Sequence, residues 1–235
     1  MKKLLMIIPV LLLTAAAIAQ PTVNDPNAEI RAVKSFHAIS VSNAFDVFLT
    51  QGSEEKVAVS AGDAKDLANI TVEVKNGVLQ IGWDNKGRWN RGNKKLKAYI
   101  SFKTIDALSA SGACDVSIVG ALKADDLKIN MSGASDLKGR VEAKKITVDL
   151  SGASDTRISG IASQLNVEAS GASSFKCFDL ATEYCNARAS GASDIKITVN
   201  KELSASASGA SDIDYKGAGV IKDIKTSGAS SISRS

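Results

Sequence analysis

Serine and aspartate, two residue types that can bind metal ions or take part in catalysis, recur together in the phrase Ser-Gly-Ala-Ser-Asp. Identical copies begin at Ser132, Ser151, Ser190 and Ser208, and near copies begin at Ser111, Ser170 and Ser227. Stacked carboxylate and hydroxyl oxygens could supply part of a calcium site, with Asp136 and Asp155 as the first candidates. The glycine-rich nonapeptide period of calcium-binding β-helices is absent, however.

Basic residues follow two positions after the last residue of several copies. They are Lys138, Arg157, Lys176 and Lys196. If the copies stack, neighbouring aspartates repel each other by roughly 1 kcal/mol per pair in water, and a parallel basic row would offset that repulsion. A basic row would also oppose a bound cation. We therefore predict no metal and no cofactor, with calcium at Asp136 and Asp155 as the alternative.

Catalytic chemistry has little support from the residues. A Ser-His-Asp triad would need His37, the only histidine, and nothing near it in the sequence marks a nucleophile. Polysaccharide lyases and glycosidases use carboxylates placed in irregular loops, whereas the carboxylates here are regular. We predict no catalytic residue. A carbohydrate-active enzyme of either type is the alternative, and two carboxylates grouped with Lys or Arg outside the repeated positions would favour it.

One irregular stretch, "GWDNKGRWNRGNKKLK", combines tryptophan with many cations. Its candidate ligand-binding residues are Trp83, Lys86, Arg88, Trp89, Arg91 and Lys94. An exposed indole ring offers a flat apolar face to a sugar or a protein, and the cations could hold anionic groups. The alternative is a solvated hairpin loop with Trp83 packed in the core.

The repeat period indicates the elements that position these residues. Successive copies begin 21, 19, 19, 20, 18 and 19 residues apart. In most copies, apolar residues lie one, three and five positions before the phrase and five and seven positions after its first serine, which is the alternation of a half-buried strand. We predict an all-β fold, a right-handed parallel β-helix-like solenoid with about 20 residues per coil. The glycine should turn the chain, and the small alanine that follows it should point inward.

Residues 30–105 lack the phrase but are also rich in strand patterns. Asn76-Gly77 separates two such patterns and predicts a β-hairpin. We predict a β-rich N-terminal part over residues 30–105 that continues into the solenoid of residues 106–235.

The first residues, "MKKLLMIIPVLLLTAAAIAQ", have the charged start, short apolar core and small-residue cleavage site of a secretory signal peptide. We predict a signal peptide over residues 1–19, a flexible leader over 20–29, and an exported protein that does not span the membrane after cleavage. Removing two lysines lowers the net charge from +4 to about +2, and with export this argues against nucleic acid.

The chain has three cysteines, and an oxidising compartment favours disulfides. We predict a Cys177–Cys185 bond across a short loop, with buried free thiols as the alternative.

Taken together, "FHAISVSNAFDVFLTQG", "NGVLQIGW", "AYISFKTIDALSASGACDV" and the later phrase copies resemble the head GIN domain family of auto-transporter adhesins. The resemblance covers about residues 33–232. It implies a β-helix-like fold in a secreted protein, with no established catalytic residues.

We predict a secreted, non-enzymatic, adhesin-like module of the cell envelope, located in the periplasm, on the outer-membrane surface or outside the cell. Regular solenoid faces suit an extended ligand, which would be a glycan or a cell-surface protein. After the last coil, residues 227–235 should expose strand edges, which predicts a homo-oligomer through that end of the solenoid.

Overall fold

The structure is a computed structural model that describes residues 25–84 and 95–235. In chain order, its elements are β1 (Glu29–Arg31), β2 (Ala38–Val41), β3 (Phe45–Gln51), β4 (Lys56–Ser60), a short 3₁₀ helix (Ala64–Asn69), β5 (Ile70–Lys75), β6 (Val78–Trp83), β7 (Leu96–Phe102), β8 (Ala107–Ala110), β9 (Asp115–Met131), β10 (Asp136–Leu150), β11 (Asp155–Ala169), β12 (Ser174–Ala189), β13 (Asp194–Gly209), β14 (Asp212–Lys216), β15 (Val220–Gly228) and β16 (Ser231–Arg234).

Strands β9 to β13 stack in parallel as successive coils. Asp136 at the start of β10 pairs with Asp115 in β9 and with Asp155 in β11, so each phrase lies over the previous one. The molecule is a β-solenoid of about seven turns with about 19 residues per coil, which confirms the predicted all-β solenoid. The unequal repeat intervals are absorbed by register shifts inside the strands.

Each coil has two legs that belong to opposite walls of the solenoid. The start of β9 pairs with β3, whereas its end pairs with β8, so the chain changes walls within this one strand. We call the part that follows the phrase the first leg and the part that leads to the next phrase the second leg. The phrase makes one corner of the coil, and the bend within each long strand makes the other.

The core fills the space between the two walls. Residues at odd positions relative to the phrase point inward, as predicted: Ile146, Val148 and Leu150 before one copy are at most 2% exposed. One continuous hydrophobic cluster runs through the described chain. Burial of these side chains is the main force that holds neighbouring coils together.

The phrase itself differs from the prediction in which small residue it buries. The alanines are exposed, as Ala134 and Ala153 show, and the second serine is buried instead. The Ser154 hydroxyl donates a hydrogen bond of 2.9 Å to the carbonyl of Ser151, and the same bond recurs in the other copies. The buried hydroxyl therefore closes the turn, and the alanine forms its outer rim.

An additional copy of the phrase lies in the N-terminal part. Strands β2 and β3 form the coil before β8 and β9, with Val41 opposite Ala110 and Asp46 opposite Asp115. Ser42-Asn43-Ala44-Phe45-Asp46 thus occupies the phrase position. Asn43 takes the place of glycine with a φ of +81°, which asparagine tolerates better than most residues, and its carbonyl accepts a 2.6 Å bond from Ala113.

Strands β6 and β7 form a further coil, since β6 pairs in parallel with β2 and β7 with β3. Asp84, which follows β6, and Lys95, which precedes β7, therefore lie at the phrase corner. Antiparallel strands extend both walls beyond this coil. Strand β5 pairs with β6 on one wall, and on the other wall β4 pairs with β7 and β1 pairs with β4. The β5–β6 turn contains Asn76 and Gly77, both with positive φ, which confirms the predicted hairpin.

The predicted signal peptide and residues 20–24 of the predicted leader lie outside the described residues. In the rest of the predicted leader, Asp25 accepts a 2.9 Å hydrogen bond from the Tyr99 hydroxyl, and Glu29 begins β1. In the described ranges, no helix has both the length and the apolar character needed to cross a membrane.

Candidate functional site

The most site-like surface covers the outer side of the second legs, next to the phrase corner. Because odd positions point inward, the residue two before each phrase and the first serine of the phrase point outward. We call these two rows the serine face: Asn130, Asp149, Glu168, Arg188 and Ser206 in one row, and Ser132, Ser151, Ser170, Ser190 and Ser208 in the other. Adjacent members lie on adjacent strands, about 4.8 Å apart.

A groove of about 480 Å³ runs over the serine face and spans five coils. Its remaining lining comes from Met131, Leu150, Ala169 and Ala189, whose side chains otherwise belong to the core. Ligand sites in proteins commonly have volumes of about 300–1,000 Å³. The groove is therefore large enough to hold several units of a polymer along the solenoid axis.

The charged groups of the groove are paired with each other or with a flanking lysine. Arg188 donates a 2.7 Å bond to Glu168, and the ammonium of Lys128 lies 3.8 Å from the carboxylate of Asp149. All four side chains are about half exposed. Two acids and two bases leave no net charge, while each polar group still faces solvent.

The serine hydroxyls of the groove have hydrogen-bonding capacity to spare. Within the described chain, the hydroxyls of Ser132, Ser151, Ser190 and Ser208 make no hydrogen bond, and that of Ser170 donates to the Leu150 carbonyl at 3.1 Å. Each free hydroxyl can donate one bond and accept two. The groove can therefore recognise a ligand rich in hydrogen-bonding groups.

The aspartates of the phrase form the predicted row on the first legs. From Asp46 the row runs in register to Asp212 and is interrupted by Ser174. The predicted basic row is also present, but only half of it makes ion pairs. Arg157 contacts Asp155 at 2.7 Å and Lys196 contacts Asp214 at 3.4 Å.

The other two basic residues, Lys138 and Lys176, make no ion pair to any residue that the structure describes. A metal site at Asp136 and Asp155 gains no support from the geometry. Among the described residues, no three histidine, cysteine or acidic side chains are grouped so that they could hold a metal ion.

The predicted ligand-binding stretch is only partly described. Trp83 ends β6 in the hydrophobic core with 8% of its surface exposed, as in the alternative interpretation in which it packs in the core. The other candidates, Lys86, Arg88, Trp89, Arg91 and Lys94, lie outside the described residues.

His37 is an exposed residue near the start of the second leg that contains β2. Its Nδ1 lies 3.0 Å from both carboxylate oxygens of Asp106, and both side chains are mostly exposed. Among the described residues, no serine, threonine or cysteine side chain hydrogen-bonds to this pair. The arrangement is an exposed histidine–aspartate pair to which no described nucleophile is hydrogen-bonded.

The three cysteines are free and buried, so the predicted Cys177–Cys185 disulfide is absent. Cys177 accepts a bond from the Ile158 amide at 3.3 Å and contacts the Thr156 carbonyl in the preceding coil. Burial raises the pKa of both Cys177 and Cys185 to about 12. Both thiols therefore act as small apolar core residues, the alternative reading of their sequence.

Sequence reasoning recognised the outward polar positions but missed the groove. The signal was present in the row two residues before each phrase, which changes from Asn130 through Asp149 and Glu168 to Arg188 while the phrase itself stays constant. A position that varies in chemistry within a strict repeat is a better candidate for binding than the repeated residues themselves.

Comparison with protein families gives a match over most of the chain. Residues 35–219 match the model of the family described as "Putative auto-transporter adhesin, head GIN domain", the family that the sequence motifs predict. No curated protein matches the sequence.

Several solved structures share the fold. A "putative adhesin" from Bacteroides fragilis is 26% identical, with a TM-score of 0.81 over 88% of this chain and 96% of that chain. A "putative adhesin" from Parabacteroides distasonis is 18% identical, with a TM-score of 0.73 over 88% and 96% of the two chains. A "putative lipid binding protein" from the same species is also 18% identical, with a TM-score of 0.67 over 90% and 98%.

Proposed function

The chain belongs to the family described as "Putative auto-transporter adhesin, head GIN domain", and from that premise we propose that it is a secreted, non-enzymatic binding module that holds an extended ligand in the groove over the serine face. The groove carries the proposal. It combines a ligand-sized volume, two solvent-facing ion pairs and serine hydroxyls that repeat on successive coils. An extended ligand can meet a serine hydroxyl on each coil.

The ligand belongs to the cell envelope, as a glycan or a surface protein. The signal peptide predicted from the sequence and the adhesin family support a location outside the cytoplasm. The loop that contains Trp89 and Arg91 remains a second predicted contact region. Its flanking residues Asp84 and Lys95 lie at the phrase corner, the same corner that borders the groove.

A pair of double variants tests the groove. Glu168→Ala/Arg188→Ala removes a 2.7 Å ion pair from the groove without changing net charge. Asp155→Ala/Arg157→Ala removes an ion pair of the same length from the first leg of a coil and is the matched control. Exposed pairs contribute at most about 1 kcal/mol to stability, so both variants should fold.

The measurement is binding of the labelled full chain to isolated cell envelopes. We expect the groove variant to bind at least about tenfold more weakly than the unaltered chain. Removing two charged side chains that contact the ligand removes more than one hydrogen bond between the protein and the ligand. The control should bind like the unaltered chain. Equal binding by all three proteins would remove the groove from the proposal, and no binding by the unaltered chain would overturn the proposed function.

A carbohydrate-active enzyme is the second candidate, and one observation favours it. Asp149 and Glu168 lie on adjacent coils beside Arg188, which groups two carboxylates and a base outside the repeated aspartate positions. A lyase or a glycosidase would release unsaturated or reducing ends from a polysaccharide. Release of neither from any member of a broad polysaccharide panel would eliminate this candidate.

A further inference from the structure

We infer that the groove takes a neutral, hydroxyl-rich polysaccharide that lies along the solenoid axis, an inference that rests on the proposed function and names its ligand class. The first support is hydrogen-bonding capacity. Besides the four free serine hydroxyls, the lining offers Asn130 and Ser206, so amide and hydroxyl groups outnumber the charged ones. Sugar hydroxyls both donate and accept, and these side chains can match them in either role.

The charge of the groove argues against a charged polymer. Asp149 and Glu168 are balanced by Lys128 and Arg188, each within ion-pair distance. A polyanion would meet two carboxylates, and a polycation would meet a guanidinium and an ammonium. Paired carboxylates still have lone pairs free to accept hydrogen bonds from neutral hydroxyls, so a neutral polymer gains contacts without breaking the pairs.

The absence of apolar anchors argues against a protein ligand. Protein interfaces depend on a few large apolar or aromatic residues that fill pockets. The exposed large apolar side chains of the described residues are Ile30, Val119, Ile161, Tyr184, Val220, Ile221 and Ile224, and none of them lines the groove. The groove therefore offers hydrogen bonds and shallow contacts, which suit a hydrated polymer better than a protein surface.

The geometry also favours a polymer over a single sugar. The rows repeat at the spacing of adjacent strands, about 4.8 Å, across five coils. A single sugar unit would contact one or two coils and use a small part of the rows. A chain of units would contact a serine of the repeated row on each coil, so affinity should grow with the number of units bound.

The experiment uses the full chain and defined polysaccharides in affinity electrophoresis and calorimetry. The probes are mannan, dextran and laminarin as neutral polymers and polygalacturonate as an acidic one. We expect binding to at least one neutral polymer, weaker binding to its short oligomers, and none to polygalacturonate. Binding should change by less than about twofold as salt shortens the screening length from about 10 Å at 0.1 M to about 3 Å at 1 M.

Variants locate the site. Ser151→Ala/Ser190→Ala removes two free hydroxyls from the groove, and Ser117→Ala/Ser163→Ala removes two serines outside the groove, whose hydroxyls likewise make no hydrogen bond within the described chain, as a matched control. We expect the groove variant to lose about tenfold in affinity, as is typical when two hydrogen bonds are removed, and the control to lose none.

The outcomes separate the inference from the proposed function. A preference for polygalacturonate, salt-sensitive binding, or envelope binding that protease treatment of the envelopes abolishes would each overturn the neutral-polysaccharide ligand. If Glu168→Ala/Arg188→Ala weakens envelope binding while no neutral polymer binds, the proposed function stands and the inference fails. If the chain binds neither envelopes nor any polymer, both fail.

Discussion

The hydroxyl of the second serine in the phrase closes the turn at the corner of each of these coils. Its hydroxyl is buried, and a buried hydroxyl without a partner would cost free energy. In each copy it donates to the carbonyl three residues earlier, a backbone group inside the turn. Cys114 occupies the same position in the first copy, where its Sγ lies 3.3 Å from the Ser111 carbonyl. In the copies that begin with Ser-Gly the position therefore holds a small side chain with a donor, whereas the buried Phe45 fills it in the copy at Asn43.

Replacing this serine tests the role of its hydroxyl. Ser154→Ala should lower the free energy of unfolding by about 1–2 kcal/mol, because the Ser151 carbonyl loses the buried hydroxyl donor that closes the turn. Ser154→Cys should cost less, since a thiol already fills this position at Cys114. Urea denaturation measures both. An alanine variant as stable as the unaltered chain would show that the turn does not depend on the hydroxyl.

A second test at the residue scale concerns Tyr99, which stacks on Phe48 and donates a hydrogen bond to Asp25. Burial, the bond to Asp25 and the charges of Asp25 and Asp46 raise the pKa of Tyr99 to about 12. The folded-state pKa lies above the unfolded value of about 10. The stabilisation is therefore fully present below about pH 10 and is lost as the pH rises through about 12.

Tyr99→Phe keeps the ring stack and removes the titrating group. We expect this variant to be less stable by about 1–2 kcal/mol at pH 8, because the carboxylate of Asp25 loses a donor. Its melting temperature should also fall less steeply than that of the unaltered chain between pH 10 and 12. Tyr184→Phe, at an exposed tyrosine, is the control. Identical alkaline profiles for all three proteins would contradict this account.

Some residue-scale assignments could be predicted from the sequence and others could not. The inward strand residues followed from alternation, because burial on one face imposes a period of two. The prediction of an inward alanine failed because it used side-chain size alone; continuing the odd-numbered alternation through the phrase would have selected Ser135 and Ser154. The copy that contains Asn43 was not predicted, because asparagine stands there in place of the glycine that defines the phrase.

At the scale of the element, the glycine of the phrase governs how closely coils stack. Gly152 has a φ of +74°, and a Cβ added there would lie 2.4 Å from the carbonyl oxygen of Gly133 in the preceding coil. That carbonyl accepts a 2.7 Å hydrogen bond from Ala153. The glycine is needed both for its backbone conformation and for the contact between backbones, and the same contact recurs up the column.

Gly152→Ala should therefore destabilise the chain by at least about 2 kcal/mol, because an L-residue in the left-handed region costs about 1–2 kcal/mol and the contact with Gly133 adds to it. Ala153→Ser, at the exposed neighbouring position, should change stability by less than about 0.5 kcal/mol. Thermal and urea unfolding measure the difference. Equal stability of the two variants would refute the backbone contact as a constraint on stacking.

The strands and turns that depend on local sequence patterns could be predicted. The intervals between phrase copies reappear as the strand register, since stacked identical turns fix the pairing. The Asn76-Gly77 hairpin followed from turn chemistry. Pairing of β6 with β2 could not be predicted, because it joins segments almost forty residues apart with no Ser-Gly-Ala sequence between them. The groove was missed although the stacking that forms it followed from the repeat, because the residues two before each phrase were recognised only as outward polar positions.

At the scale of the whole molecule, the two ends of the solenoid differ. Antiparallel strands follow the coil of β6 and β7 at one end. At the other end, every residue of β15 is exposed, and no described strand pairs with its outer edge or with that of β16. Val220, Ile221 and Ile224 expose apolar surface there. Solenoids need such ends covered, and unpaired edges invite another strand.

We expect a second copy of the chain to pair with this end, because the charged residues of two β15 strands would be complementary. If two β15 strands pair antiparallel about Ile224, Asp223 of each copy lies opposite Lys225 of the other, and the two Ile224 side chains meet.

We expect sedimentation of the full chain to show a dimer whose population rises with concentration. Ile221→Lys/Ile224→Lys should yield monomers, because it places four like charges at the contact, while Ile161→Lys, at an exposed residue in β11, should leave the dimer intact. Monomers over a wide concentration range in the unaltered chain would refute the pairing, and dimers that survive the double substitution would place the contact elsewhere on the molecule.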